Sequence, residues 1–327
     1  MKLSTTKVLA ASLLAGCISS VANAADKEFV TVPKAVGLNW FNRMEEGVVR
    51  FGADNPGIAT FQQGPSKFDA ALQVQVIEDL IARKVDAINV VPFQAESLEP
   101  VLKKARSQGI VVVAHEASNL TNIDYDVEAF DNQAYGRFLM DQLAQGMNQE
   151  GQYAVFVGSL TSTTHMTWVN AAIDYQKATY PKMELVGGIN ESSDDIKNSY
   201  AKTRELLRTY PKLKGIQGSS ALDVVGAGQA IEEAGLEDKV TVVGTSIVSY
   251  AGDLLKTGAI DVITAWDPAV AGYAMNKVAS MVINGESITD GMDLGVEGYN
   301  KITLDGKVIY GSAWIRVTKD NMSDYNF

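Results

Sequence analysis

The 327-residue chain has one cysteine, Cys17, and only two histidines, four tryptophans and eight prolines. A single thiol cannot form an intrachain disulfide, so the fold has to rest on its core. His115 and His165 have no helical i, i+4 partner, and no second cysteine completes a zinc set, so no metal site is expected. Basic runs are missing too: 28 Lys and Arg stand against 39 Asp and Glu, a formal charge of −11. That balance excludes nucleic acid and anionic lipid as partners held by counterion release, and it disfavours phosphate-bearing ligands. No Gly-x-Ser-x-Gly elbow, P-loop or Gly-x-Gly-x-x-Gly run occurs, so the residues indicate neither an enzyme nor a cofactor. After the N-terminal segment, no stretch is apolar enough to span a bilayer.

That N-terminal segment indicates export. Met1–Ala24 has Lys2 and Lys7, an apolar run Val8–Ala15, and Ala22-Asn-Ala24 before Ala25, the pattern of a secretory signal. Leu14-Ala-Gly-Cys17 also fits a lipobox, so cleavage after Ala24 and lipidation of Cys17 are both open. Either route takes the mature domain out of the cytoplasm, to the periplasm. Losing Lys2 and Lys7 leaves 26 basic against 39 acidic residues, a formal −13. The remaining residues, roughly 300, can bury one large core or two smaller ones.

Beyond residue 24, short β-rich runs alternate with helical patterns. Strands are predicted at Phe29–Pro33, Ile58–Gln62, Ala87–Val91, Ile110–Ala114, Tyr153–Val157, Glu184–Ile189, Gly215–Gly218, Val240–Gly244 and Asp261–Ala265. Helices are predicted between them, as at Ala70–Arg83, where Leu72, Val76, Leu80 and Ile81 recur at helical spacing, and at Ser97–Ser107. The strands are near-continuous apolar runs, as parallel strands covered on both faces require. The fold class is therefore α/β with doubly wound parallel sheets. The polar stretch 123–135 interrupts the pattern and Gly151 restarts it, which indicates two Rossmann-like lobes joined by a multi-strand hinge. Crossings are placed near residue 131, at Trp266-Asp267-Pro268 and around Gly295–Tyr299. Residues 25–130 plus about 268–297 then form the N-terminal lobe, and 131–267 plus about 298–327 the C-terminal lobe. Asp305-Gly306 reads as a hairpin turn.

Ligands of open α/β sheets bind beyond the carboxyl ends of the strands. The first such loop carries Lys34, Asn39, Trp40 and Phe41. Both histidines, together with Trp40, Trp168 and Trp266, also fall in or beside strand-end loops; Trp168, at a helix start, reads as core. Aromatic platforms beside planar polar groups suit sugars, which present apolar C–H faces and hydroxyl edges. Glu116 and Asp267 are the best acceptors for hydroxyl donors. Asn132 reads equally as a helix cap and as a ligand contact. Asp223 reads as an N-terminal charge on its helix.

Together these motifs resemble the type I periplasmic solute-binding proteins of ABC importers, the ribose-binding-like class. The resemblance rests on Val111-Val-Val-Ala-His-Glu116, Phe130-Asp131-Asn132, Val242-Val-Gly-Thr-Ser246 and Ala265-Trp-Asp-Pro268. Val32-Pro-Lys34, Gly64-Pro65, Gln73-Val-Gln-Val-Ile77, Trp168-Val169 and Asn321–Phe327 are similar to the autoinducer-2 and rhamnose-type receptors within it. The resemblance implies a ligand lysine at Lys34, a fourth-strand acid at Glu116, and a hinge that closes over a small polyhydroxylated solute. In the autoinducer-2 receptors an Asp-Gln pair opens the second lobe; here those positions hold Thr164-His165. Ser219 replaces a contacting proline, and Ala221 fits; Ser220 and Ser246 stand where the ribose-like pattern has Asn and Asp, which implies weaker contacts there. A sugar or polyol is therefore the expected ligand, with autoinducer-2 as the alternative. An ABC permease is the implied partner, a chemoreceptor is left open, and a monomer is the family's usual state.

Overall fold

The computed structural model of the chain describes residues 26–327; the predicted signal segment, with Cys17 and Ala24, lies outside the described residues. The first series of elements runs β1 (Lys27–Val32), α1 (Asn39–Asp54), β2 (Ile58–Gln62), α2 (Ala70–Arg83), β3 (Ala87–Val90), α3 (Ala95–Ser107), β4 (Val111–Ala114) and β5 (Tyr125–Glu128). The second runs α4 (Asn132–Gly146), β6 (Gly151–Val157), α5 (Thr163–Thr179), β7 (Met183–Glu191), α6 (Ile196–Thr209), β8 (Leu213–Gly218), α7 (Asp223–Ala234), β9 (Thr241–Thr245), α8 (Val248–Thr257) and β10 (Val262–Ala265). Helix α9 (Pro268–Ile283) and strands β11 (Thr303–Asp305), β12 (Val308–Tyr310) and β13 (Ile315–Val317) follow.

One sheet has the order β11-β12-β5-β4-β3-β1-β2 and the other β13-β10-β9-β8-β6-β7. Among the described residues, only the β11–β12 and β10–β13 pairs are antiparallel. Strand β3 is buried along its whole length and β4 nearly so, which is why both read as unbroken apolar runs. Helix α2 begins where the Asp69 carboxylate accepts Ala71 N–H at 3.0 Å and Leu72 N–H at 3.1 Å. Its buried stripe is Gln73, Ile77, Leu80 and Ile81, so the helix is rotated from the face centred on Leu72 and Val76. Gln73 explains the rotation. Its amide donates to the carbonyls of Pro33 at 3.0 Å and Val91 at 2.8 Å, and accepts Phe93 N–H at 3.0 Å. A buried amide with partners on both sides has no reason to turn to solvent.

Two features of the tail and the hinge depart from the sequence reading. The stretch 123–135 is not all irregular: Tyr125–Glu128 pairs with β4 and β12. Its polar alternation hid it, because Asp126 and Glu128 are buried acids. Burial raises the Asp126 pKa to about 7, and burial followed by repulsion from Asp126 raises Glu128 well above the ordinary carboxylate range. The second departure is the third crossing, which lies at 311–314 rather than at Gly295–Tyr299. The β11–β12 hairpin, turning at Asp305-Gly306, pairs with β5 in the first sheet, and only β13 joins the second. Gly311 and Ala313 N–H bond to the carbonyls of Glu128 and Ala129, so the first and third crossings run side by side. The second crossing is Trp266-Asp267, between β10 and α9.

One apolar core runs through the hinge and includes Trp40, Phe130, Trp168, Trp266 and Met275; each lobe has a further core on its other face. Helices α1 and α9 pack closely because Gly47 lies against the backbone of Ala269 and Gly272 against that of Met44. A Cβ at position 47 would collide with the Ala269 carbonyl. Gly47→Ala is therefore expected to lower stability by about 1–3 kcal/mol through overpacking, read as a lower urea midpoint at unchanged slope.

Candidate ligand-binding cleft

The carboxyl ends of both sheets face one another across the hinge, where open α/β sheets place their ligands. Between them lies a cavity with about 490 Å³ of empty volume, including space open to solvent. Lys34, Trp40, Phe41 and Glu116 line it from the first lobe, His165, Ser220 and Ala221 from the second, and Trp266 from the hinge.

Lys34 Nζ donates to Glu116 Oε2 at 2.7 Å, and both side chains are about nine-tenths buried. Burial alone would lower the lysine pKa, but Glu116, Asp194 and Glu128 together outweigh it and leave it raised. For Glu116, burial pulls upward and is outweighed by Lys34 and the two histidines, so its pKa is lowered. Both groups are therefore charged. Glu116 also sits at φ 58°, a left-handed conformation that is costly for a side chain with a Cβ and tends to occur where function requires it. Gln73, tied to Pro33 and Val91, holds the loop that presents Lys34.

The indoles form the walls. Trp40 and Trp266 meet edge to face with centroids 4.9 Å apart, and Trp168 lies 6.0 Å from Trp266. Trp266 Nε1 donates to His115 Nε2 at 3.2 Å, and Trp168 Nε1 donates to Asn132 Oδ1 at 2.6 Å. Both donors are thus engaged away from the cavity, which leaves ring surface for a ligand's apolar face. Trp168 is 1% exposed yet borders the cavity, so it acts as core and as wall. Tyr250 on α8 reaches across the mouth, where its hydroxyl accepts Trp40 N–H at 3.3 Å.

Six of the residues anticipated as contacts do not line the cavity. Asn39 is exposed at the start of α1. His115 is buried behind Trp266, with Nδ1 2.5 Å from the Val127 carbonyl; burial lowers its pKa, and it orients the indole as a neutral ring. Asn132 holds Trp168. Thr164 is buried with an unpartnered hydroxyl. Ser246 donates to the Ala221 carbonyl at 2.8 Å and so fixes that loop. Asp267 caps α9 and takes a two-pronged pair from Arg43, at 2.9 Å and 2.7 Å. Asp267, Ser246, His115 and Asn132 are consumed by a helix cap, backbone carbonyls and indoles, a use that spacing alone does not distinguish from ligand contact. Conversely Leu38, Phe68, Asp194, Leu222, Thr245 and Tyr250 line the cavity without having been singled out, and Ser219, noted only as standing in for a contacting proline, lines it too. The strand-end rule would have found Asp194 and Ser219, which follow β7 and β8. Asp223, 0% exposed, accepts Ser219 and Ser220 N–H and so shapes the α7 entrance; burial raises it to about 7.

Residues 29–287 match the periplasmic binding protein domain family. The chain belongs to that family. It is similar to the D-allose-binding periplasmic protein of Escherichia coli, 28% identical over 79% of this chain and 85% of that one. It is also similar to the D-ribose/D-allose-binding protein of Pseudomonas aeruginosa, 24% identical over the same shares. Among solved structures, LsrB from Clostridium saccharobutylicum in complex with AI-2 superposes with a TM-score of 0.84 at 20% identity, over 92% of this chain and 100% of that one. A solute-binding protein from Clostridium phytofermentas with bound L-rhamnose gives 0.82 at 22%, over 92% and 98%. Like other periplasmic binding proteins, the chain has two α/β lobes of mostly parallel strands. No helix among the described residues is long and apolar enough to cross a membrane.

His165 gives this member's cleft a pH signature. Gly158 N–H donates to its Nδ1 at 3.2 Å, and burial, then the Lys34 charge, lowers its pKa from 6.5 to about 4. Between those values the unfolded chain binds the proton and the folded chain does not, so stability is lost as the pH falls through that window. His165→Gln removes this loss. The stability of wild type relative to the variant should fall by roughly 3 kcal/mol from pH 7 to pH 4. Urea midpoints that run parallel in the two proteins across that range would contradict the assignment.

Proposed function

We propose that the chain is an exported receptor that captures a small neutral sugar or polyol between its lobes and delivers it to an ABC permease. The observation that carries this reading is the cavity itself, where indole faces stand opposite a buried Lys34–Glu116 pair. Ring faces suit the C–H surface of a sugar, and the charged pair can both accept from and donate to hydroxyls. The ligands named for relatives (D-ribose, D-allose, xylitol) agree with this chemistry. Contacts from both lobes favour the closed arrangement, so binding and closure are one equilibrium. The residues do this by binding alone and place no nucleophile beside a base, which supports a carrier rather than an enzyme. The signal pattern of Met1–Ala24 supports a periplasmic site of action.

A second reading, an autoinducer-2 receptor, draws on the Lys34–Glu116 pair and the fold shared with the AI-2 complex. Against it, Thr164 is buried outside the cavity, so the second-lobe acid of that group has no counterpart at its usual place. A thermal-shift panel of D-ribose, D-allose, xylitol, L-rhamnose and autoinducer-2 separates the two. A ligand at a hundred times its Kd adds about 2.7 kcal/mol to the folded state. A shift with a neutral sugar or polyol supports the first reading, autoinducer-2 alone supports the second, and none from any compound contradicts both.

A further inference from the structure

Asp194 is a carboxylate of the second lobe aimed at the cleft. It lies in the loop after β7, is 9% exposed and borders the cavity. Its side chain accepts no hydrogen bond from the protein among the described residues, although Asp195, next to it, caps α6. Asp194 and Ser193 both sit in the left-handed region, at φ 52° and 58°. Of the described non-glycine residues with positive φ, only Glu116 and Asp194 border the cavity, and both are acids. Gly158, at the end of β6, provides the space: a Cβ there would collide with Asp194 Oδ1. The backbone on both sides thus accommodates a carboxylate that the protein itself leaves unbonded.

We propose that Asp194 is the specificity-determining acid of the second lobe, selecting neutral polyhydroxylated solutes over their carboxylate counterparts. The inference rests on the reading of the cavity as a sugar site and adds to it the sign of charge that the site rejects. One ammonium, Lys34, faces two carboxylates, Glu116 and Asp194, and His165 is neutral near pH 7. The field of Asp194 reaches Lys34 and adds to that of Glu116. A hydroxyl-bearing ligand donates to Asp194 from one end while Lys34 and Glu116 hold the other, so the acid rewards closure. A sugar acid would place a third carboxylate among these groups and would pay for it in repulsion and desolvation. Asp194 also restores a second-lobe carboxylate to a cleft in which Thr164-His165 lacks one.

The test is calorimetric titration of the mature protein at pH 7 with D-ribose, D-allose and xylitol, each compared with its corresponding aldonate. Asp194→Asn keeps the shape and the left-handed backbone, which Asn tolerates best after glycine. It should weaken neutral binding about tenfold, the difference between a charged and an uncharged acceptor, and narrow the preference over the aldonate at least about tenfold. Gly158→Ala displaces the carboxylate but keeps its charge, so it should weaken neutral binding while preserving the preference. Glu116→Gln is the control for the sugar site as such. If Asp194→Asn leaves the preference unchanged while Glu116→Gln loses binding, the role of Asp194 is overturned and the sugar site stands. If the wild type binds no neutral compound, or prefers the aldonates, the sugar reading falls and the Asp194 role with it.

Discussion

Trp266→Ala is expected to lower stability by about 3–5 kcal/mol and to abolish measurable sugar binding. Its ring meets aromatic side chains from both lobes and the hinge. Trp266 is 2% exposed, with ring centroids 4.9 Å from Trp40, 5.4 Å from Phe130, 5.7 Å from His115 and 6.0 Å from Trp168. Alanine leaves a void in the core that runs between the lobes and removes the donor that His115 Nε2 accepts. Neighbours anchored in two sheets cannot easily collapse into that void, so the cost belongs at the high end for an aromatic deletion. The wall proposed to carry the ligand is lost as well. Urea unfolding and a sugar titration measure the two effects separately. A loss below about 1 kcal/mol with binding intact would mean that the indole is not part of the core that joins the lobes.

Glu116→Ala should reduce affinity at least tenfold, about 1.4 kcal/mol, and destabilise the unliganded protein by about 3 kcal/mol. The second effect arises because Lys34, 9% exposed, would keep its charge and lose its hydrogen-bonded partner. Asp194 and Glu128 moderate that loss, since both fields also act on the ammonium. The pair sets its own pH window. The lowered Glu116 contributes stability that is lost as the pH falls through its folded pKa, and the raised Lys34 contributes stability that is lost as the pH rises through its own. The Glu116→Ala, Lys34→Met double variant should recover most of the stability, because no unpaired charge remains, and none of the affinity. If the double variant is as unstable as the single one, the cost lies in packing rather than in charge.

What was readable in the sequence follows from where each residue's interactions lie. Parallel strands buried on both faces must be apolar throughout, so β3, β4 and β9 are visible as runs, and the loops at their ends mark Lys34, Glu116, Trp40 and Trp266. Strand β5 broke that rule, because Asp126 and Glu128 face the interior of a sheet and disguise it as a polar loop. The third crossing depended on which sheet would accept the β11–β12 hairpin, a long-range pairing with no local signal. Asp267 and Asn132 were the right residue types in the right loops, but Arg43, a helix cap and the Trp168 indole had already claimed them. Asp194 was missed because Asp-Asp before a helix looks like capping. Asp195 does cap, and only the left-handed turn sends Asp194 the other way.

The most direct measurement is a crystal structure of the mature protein grown with the neutral sugar or polyol that stabilises it most. The account predicts density for that compound between the lobes, its apolar face against Trp40 or Trp266 and its hydroxyls within hydrogen-bond distance of Lys34, Glu116 and Asp194. A compound bound on one lobe alone, or outside this cavity, would contradict it.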